Sequence, residues 1–282
     1  MCRLFGLTAG TTPVRATFWL LDAPDSLEAQ SHRNVDGSGI GFFDVKGAPV
    51  LDKQPEPAFA DEEFSHEARQ VLSVTFVAHV RYATAGGRDI RNTHPFAMHG
   101  RIMAHNGGIG ELARLDERLG SYADLVLGDT DSERYFALIT QQAEARDGDV
   151  GAGITAAARW IGANLPVSSL NAVVATAGEL WALRYPAQHA LHILDRPAAP
   201  GERPAGLHVR SATSSMHVPA LDPAASAVVA SEELDGESGW RMLAPGELVH
   251  VRPDLTVESA VVISEPPARL VPITGTNPNI DT

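Results

Sequence analysis

Apolar and polar residues alternate from the first positions of the chain, and Arg3-Leu4-Phe5-Gly6-Leu7-Thr8 predicts a strand closed by Ala9-Gly10-Thr11-Thr12-Pro13. Thr17 to Leu21 and Pro24 to Gln30 read as short helical pieces. Asp36-Gly37-Ser38-Gly39 leads into a strand at Ile40-Gly41-Phe42-Phe43, with a partner around Val50-Leu51. Val74 to Val80 is nearly continuous in apolar, often β-branched residues, the pattern of a strand covered on both faces. Another buried strand is expected at Arg101-Ile102-Met103-Ala104.

The period then becomes helical. Leu112, Leu115 and Leu119 share one side of Glu111 to Leu119, and Tyr135, Leu138, Ile139 and Gln142 do so over Thr130 to Arg146. Ala157, Ala158 and Ile161 repeat the pattern over Ile154 to Asn164, which stops at Leu165-Pro166. Each helix carries one apolar stripe and needs a sheet to cover. Strands return at Leu170 to Thr176, Leu180 to Arg184, Leu191 to Leu194, Leu207 to Arg210, Ala227 to Ala230 and Leu248 to Val251. Strands, a central helical block and strands again predict an α+β fold rather than a βαβ array. Without an internal repeat, residues 2–265 are expected to be one domain. Pro197 to Pro204 reads as a proline-rich loop, and 266–282 as an extended or poorly ordered tail.

Composition removes several function classes. With 22 Lys+Arg against 35 Asp+Glu, the net charge is −13 and no basic cluster exists to track phosphates, so no nucleic-acid partner is expected. No apolar run approaches the roughly 18 residues of a membrane span, and the first residues lack a signal-peptide pattern. A cytoplasmic protein without a membrane partner is the expectation. One cysteine excludes an intramolecular disulfide and a Cys-rich zinc site. His94, His99 and His105 lack zinc-ligand spacing, so no metal and no cofactor are predicted. The two glycine-rich segments also miss G-x-G-x-x-G, with Phe42 and Ala113 in the required third positions.

That single cysteine, Cys2, follows Met1. Removal of Met1 would put a thiol and a free α-amine on one residue, with ordinary pKa values of about 8.5 and roughly 7.7–8.0, so the nucleophile would carry its own base. By position alone a small hydrophobe at a strand edge is the simpler reading. In His79-Val80-Arg81-Tyr82-Ala83-Thr84, an arginine at a strand end can hold a carboxylate through two parallel N–H bonds or make a surface ion pair. His94, within Asn92-Thr93-His94-Pro95-Phe96, could form a loop wall or be a satisfied structural residue. His105-Asn106-Gly107-Gly108 reads as a bend whose Asn amide and glycine N–H can converge on one oxygen, or as a plain turn. Thr130 and Glu133 have capping-box spacing, and Asp131 beside them can face a ligand ammonium.

Taken in order, Met1-Cys2-Arg3-Leu4-Phe5-Gly6, Asp36-Gly37-Ser38-Gly39-Ile40-Gly41, His79-Val80-Arg81-Tyr82-Ala83-Thr84, Asn92-Thr93-His94-Pro95, His105-Asn106-Gly107-Gly108 and Thr130-Asp131-Ser132-Glu133 resemble the class II glutamine amidotransferases. Val228 to Glu232, Gly239-Trp240-Arg241 and Pro245-Gly246-Glu247-Leu248 look like the late strands of the compact stand-alone members. The resemblance implies a four-layer αββα sandwich of the N-terminal-nucleophile hydrolases. It makes Cys2 the nucleophile that forms a γ-glutamyl thioester, with Asn106 and Gly107 stabilising the oxyanion. Arg81 would bind the α-carboxylate and Asp131 the α-ammonium, while Thr84 and His94 would line the pocket. Two positions depart from relatives: Ala85 where some have histidine, and Ser38 where many compact members have tryptophan. The second predicts a reshaped cavity or lid.

The implied activity is a glutaminase-type amidohydrolase that acts on glutamine or a γ-glutamyl compound and releases glutamate with ammonia or an amine. Ammonia would pass to a partner protein or be the product. One alternative is a hydrolase of a glutamyl-capped metabolite, as in ergothioneine biosynthesis. Another is a non-catalytic glutamine-binding module, which would need neither thiol nor oxyanion donors.

Overall fold

In a computed structural model of the protein, which describes residues 2–82, 87–197, 207–210, 215–218, 224–236 and 238–272, the first alternating segment becomes strand β1 (Arg3–Thr8). Phe5 and Leu7 enter one apolar cluster and Leu4 another, because successive side chains leave a strand on opposite faces. A π-helical turn at Phe18–Asp22 and helix α1 (Leu27–Ser31) precede β2 (Ser38–Phe43) and β3 (Pro49–Gln54). Helix α2 (Glu62–Gln70) leads to β4 (Thr75–Val80), β5 (Phe96–Met98) and β6 (Arg101–Ile109). Helices α3 (Leu112–Leu119), α4 (Asp131–Glu144) and α5 (Val150–Asn164) form the middle block. Then come β7 (Pro166–Thr176), β8 (Glu179–Arg184), β9 (His192–Arg196), the hairpin of β10 (Leu207–Arg210) and β11 (Ser215–Val218), and β12 (Ser226–Ala230). The last strands are β13 (Arg241–Met242), β14 (Glu247–Val251), β15 (Val257–Val261) and β16 (Arg269–Leu270).

One sheet has the order β13-β9-β12-β1-β4-β2-β3 and the other β15-β14-β8-β7-β6-β5. Their inner faces share a core that includes Leu4, Val77, Ile102, Ala104, Val173 and Val229. Trp19, Leu20, Leu27 and Phe64 cover the outer face of the first sheet. Leu115, Tyr135, Ile139, Ile154 and Ile161 cover the second, which uses the stripes read from the sequence. The result is an α-β-β-α stack.

Two sequence expectations change. His105-Asn106-Gly107-Gly108 is not a bend: β6 runs through it, paired with β7, and its register shifts only between Gly108 and Ile109. The glycine serves close approach, since a Cβ on Gly107 would lie 1.8 Å from the Ser169 carbonyl oxygen. Pairing also continues past residue 265. Arg269 and Leu270 run parallel to β7, and Val271 N donates to Val167 O at 2.8 Å. Residues 273–282 and most of the Pro197 to Pro204 loop lie outside the described residues.

Candidate active site

The register of β1 against β4 sets Arg3 opposite Val80, which brings Cys2 to Arg81 and Tyr82 at the strand ends. Tyr82 N donates to Cys2 Sγ at 3.2 Å, and the sulfur lies 3.3 Å from Tyr82 O. Asn106 reaches across from β6, its Nδ2 donating to Cys2 O at 3.0 Å. Arg3 Nη1 donates to the same oxygen at 3.3 Å. Burial pushes the Cys2 thiol up, the Tyr82 N–H and Arg81 pull it down, and Asp131 raises it.

Arg81 is 3% exposed. Its backbone N donates to Gly37 O at 2.7 Å and its Nη1 to Gly87 O at 3.2 Å, which ties β4 to the Asp36-Gly37 segment. Burial weakens its hold on the proton, and Cys2, Asp36 and Asp131 oppose that. Asp131 opens α4 and braces the end of β6: Oδ2 accepts from Ile109 N at 2.8 Å and Oδ1 from Ser132 N at 2.9 Å. Thr130 Oγ1 caps Glu133 N at 3.2 Å, but Glu133 turns to Gly128 N at 2.7 Å, so only half of the capping box forms. The site therefore sets a thiol between an amide donor, a buried cation and an anion.

Three histidines lie beneath it. His105 Nε2 faces Ser169 O at 3.1 Å and must donate, because a carbonyl only accepts; Nδ1 therefore accepts from Ser132 Oγ at 2.9 Å. His94 is buried and stacks on His79 with ring centroids 4.2 Å apart. Among the described residues neither ring nitrogen of His94 finds a hydrogen-bond partner, which does not fit a satisfied structural residue. Burial lowers His79 to about 3 and His94 well below its ordinary value. Lys53, across β2 from His79, donates Nζ to Thr93 O at 2.7 Å and fixes the segment that carries His94.

Thr84 lies outside the described residues. Ser38 does not shape the cleft: its Oγ donates to Glu56 O at 2.8 Å and lies 3.3 Å from Asp61 Oδ2, on the α2 side of the sheet. The Tyr82 backbone clamp, His79 and Lys53 were not singled out from the sequence. His79, two residues before Arg81, carried the only signal, since that spacing shares a strand face. Among the described residues no cluster of His, Cys, Asp and Glu is arranged to hold a metal, and no helix is long and apolar enough to cross a membrane.

Residues 1–269 match the model of the class-II glutamine amidotransferases. The chain belongs to that family. The chain is 30% identical over 179 residues to the probable glutamine amidotransferase DUG3 of Saccharomyces cerevisiae, covering 54% of the chain and 50% of the relative. It is 35% identical over 118 residues to the gamma-glutamyl-hercynylcysteine sulfoxide hydrolase of Mycobacterium tuberculosis, covering 38% of the chain and 49% of the relative. The matched stretch thus spans about half the length of these curated relatives. Among solved structures, the glutamine phosphoribosylpyrophosphate amidotransferase of B. subtilis superposes with a TM-score of 0.61 at 17% identity, over 94% of this chain and 50% of that one. A class-II domain protein from Silicibacter pomeroyi gives 0.59 at 18% identity, over 92% and 98%. These neighbours share the α-β-β-α sandwich fold, and the family relationship makes the protein an enzyme.

Proposed function

We propose that the protein hydrolyses a γ-glutamyl amide through a Cys2 thioester. The observation that carries this reading is the convergence on Cys2 of Asn106, 3.0 Å from its carbonyl, with Arg81 and Asp131 both within electrostatic reach of its sulfur. Arg81 binds the α-carboxylate of the substrate and Asp131 its α-ammonium, with His94 and Thr84 lining the pocket, so the γ-carbonyl rests against the sulfur. With Met1 removed, the Cys2 amine takes the thiol proton as sulfur attacks the carbonyl carbon. Asn106 Nδ2 and Gly107 N–H receive the oxyanion. The C–N bond then breaks, its nitrogen taking the proton from the amine, and water cleaves the thioester to give glutamate. Ammonia or the amine leaves free or to a partner protein.

The match to a gamma-glutamyl-hercynylcysteine sulfoxide hydrolase supports including γ-glutamyl amides of larger amines beside glutamine. Glutamate release from glutamine and from γ-glutamyl peptides tests the reading. Cys2→Ala should abolish it, as should an uncleavable N-terminal tag that blocks the amine. Full activity in Cys2→Ala would remove Cys2 from the mechanism, and full activity in the tagged protein would remove its amine as the base.

A further inference from the structure

Ser231 and Glu232 end the late segment Val228 to Glu232 and have no part in the proposed chemistry, yet they lie beside the start of β1. The β1–β12 register ends with Phe5 opposite Ala230, and continued by two residues it sets Leu4 beside Ser231 and Arg3 beside Glu232. Side chains join the pairing there. Leu4 N donates to Ser231 Oγ at 2.9 Å, Ser231 N donates to Leu4 O at 3.1 Å, and Arg3 Nη2 forms an ion pair with Glu232 Oε1. A chain end frays unless it is tied down, and these contacts tie the β12 edge of the segment that carries Cys2.

The Arg3 guanidinium serves two groups at once. While Nη2 meets Glu232, Nη1 donates to Cys2 O at 3.3 Å, and the same oxygen accepts from Asn106 Nδ2 at 3.0 Å. A carbonyl oxygen has two lone pairs, so it can keep both donors. They arrive from different layers: Asn106 from β6 in the second sheet, and Arg3 from the face of the first sheet that Phe5 and Leu7 share. The Arg3 side chain is 12% exposed, so solvent screens its contacts less than those of a surface pair. An asparagine amide carries two N–H groups, and the one bonded to Cys2 O leaves the other for the oxyanion. The position of Cys2 O therefore sets the aim of Asn106 as well as that of the thiol, whose Sγ accepts from Tyr82 N at 3.2 Å.

We infer that Glu232 is a positioning residue for the nucleophile: through Arg3 it fixes the Cys2 carbonyl, and with it the aim of the Cys2 thiol and of the Asn106 amide. The inference rests on the Cys2 reading and adds to it a residue that reaches Cys2 through Arg3. Without the ion pair the guanidinium loses its second anchor and Cys2 O is free to shift. A displacement on the order of 1 Å in a reacting group lowers the rate far more than it weakens binding. The head group, held in that reading by Arg81 and Asp131, is untouched, so the loss falls on kcat.

Steady-state glutamate release from glutamine, with a melting curve for each protein, tests it. Glu232→Gln should lower kcat about tenfold and keep KM within about threefold of the wild type, and Arg3→Met should do the same. Because the two side chains act as one unit, the double variant should also lose about tenfold, whereas independent effects would multiply to about a hundredfold. A kcat within about twofold of the wild type in Glu232→Gln, whether or not Tm falls, overturns the inference, since the pair would then serve stability alone. A rise in KM that matches the loss in kcat, or a multiplied loss in the double variant, overturns it too. If Arg3→Met does not fold, Glu232→Gln, which leaves Arg3 in place, decides by itself. Cys2→Ala separates the two readings: an inactive Cys2→Ala beside a fully active Glu232→Gln refutes the positioning role alone, and a fully active Cys2→Ala refutes both.

Discussion

Replacing Gly107 by alanine perturbs the fold and the chemistry at one point. The new Cβ would lie 1.8 Å from Ser169 O, 2.4 Å from the Ser169 carbonyl carbon and 2.8 Å from His105 Nε2. Two of these atoms are backbone in a central strand, so no rotamer change relieves the clash, and β6 and β7 must part locally by about 1 Å or more. That movement breaks the His105 Nε2 to Ser169 O bond, now 3.1 Å. Overpacking costs about 1–3 kcal/mol and the lost bond about 1 kcal/mol. At about 2–4 °C per kcal/mol for a domain of this size, Tm should fall by roughly 5–15 °C. In the proposed mechanism the Gly107 N–H would also leave the oxyanion position, so kcat should drop about 10²–10³-fold. KM should change less than kcat, because Arg81 lies on the other sheet and only Asp131 is tied to β6, through Ile109 N. Thermal unfolding with steady-state glutamate release measures both effects. A Gly107→Ala protein with wild-type Tm and kcat would refute the close-approach argument, and a loss confined to KM would refute the oxyanion role.

Other predictions address the charged groups. Arg81→Lys keeps the charge but loses the two-pronged grip, so KM should rise about tenfold or more with a smaller effect on kcat; an unchanged KM would remove Arg81 from substrate binding. Burial lowers Lys53 from 10.5 to about 8. Between those values the unfolded chain binds the extra proton, so this group makes stability rise with pH across the window. Urea titrations should therefore show the wild type gaining on Lys53→Met from pH 8 to 10; parallel curves would contradict the burial of its charge. His79 is lowered from 6.5 to about 3. Below pH 6.5 the unfolded chain protonates first, and stability falls towards pH 3 by up to about 1.4 kcal/mol per pH unit for this residue. His79→Leu should flatten the acid limb by that amount, and an unchanged slope between pH 6 and 4 would show that His79 is not held neutral.

Where one physical signal dominates, the sequence is legible. β1, β4 and β12 are strongly apolar and become the centre of one sheet, and the stripes of α3, α4 and α5 face the other. α2 is missed because Phe64 and Ala68 are its only buried residues, and its surface is charged. β15 is hidden for a related reason: it is an edge strand with mostly exposed side chains. Glycine misleads in β6, where Gly107 reads as a turn and instead lets β7 approach. Within the site, Cys2, Arg81, Asn106 and Asp131 stand out through ordered motifs.

If Cys2 is the nucleophile, as proposed, the site's electrostatics bear on which group can deprotonate it. Burial keeps the Cys2 thiol protonated at rest, so attack requires a base nearby. Histidine is the usual candidate, and His79, His94 and His105 lie by the site. Burial lowers the pKa of every one, to about 3 in His79, which makes them weak acceptors for a thiol proton. His105 is committed further, with one nitrogen donating to Ser169 O and the other accepting from Ser132. Lys53 is already engaged with Thr93 O. In the proposed mechanism, with Met1 removed, the α-amine of Cys2 remains, with an ordinary pKa of about 7.7–8.0 on the residue that bears the thiol. The same burial that raises the thiol thus disqualifies the surrounding imidazoles as its base, and the proposed mechanism gives that work to the terminal amine.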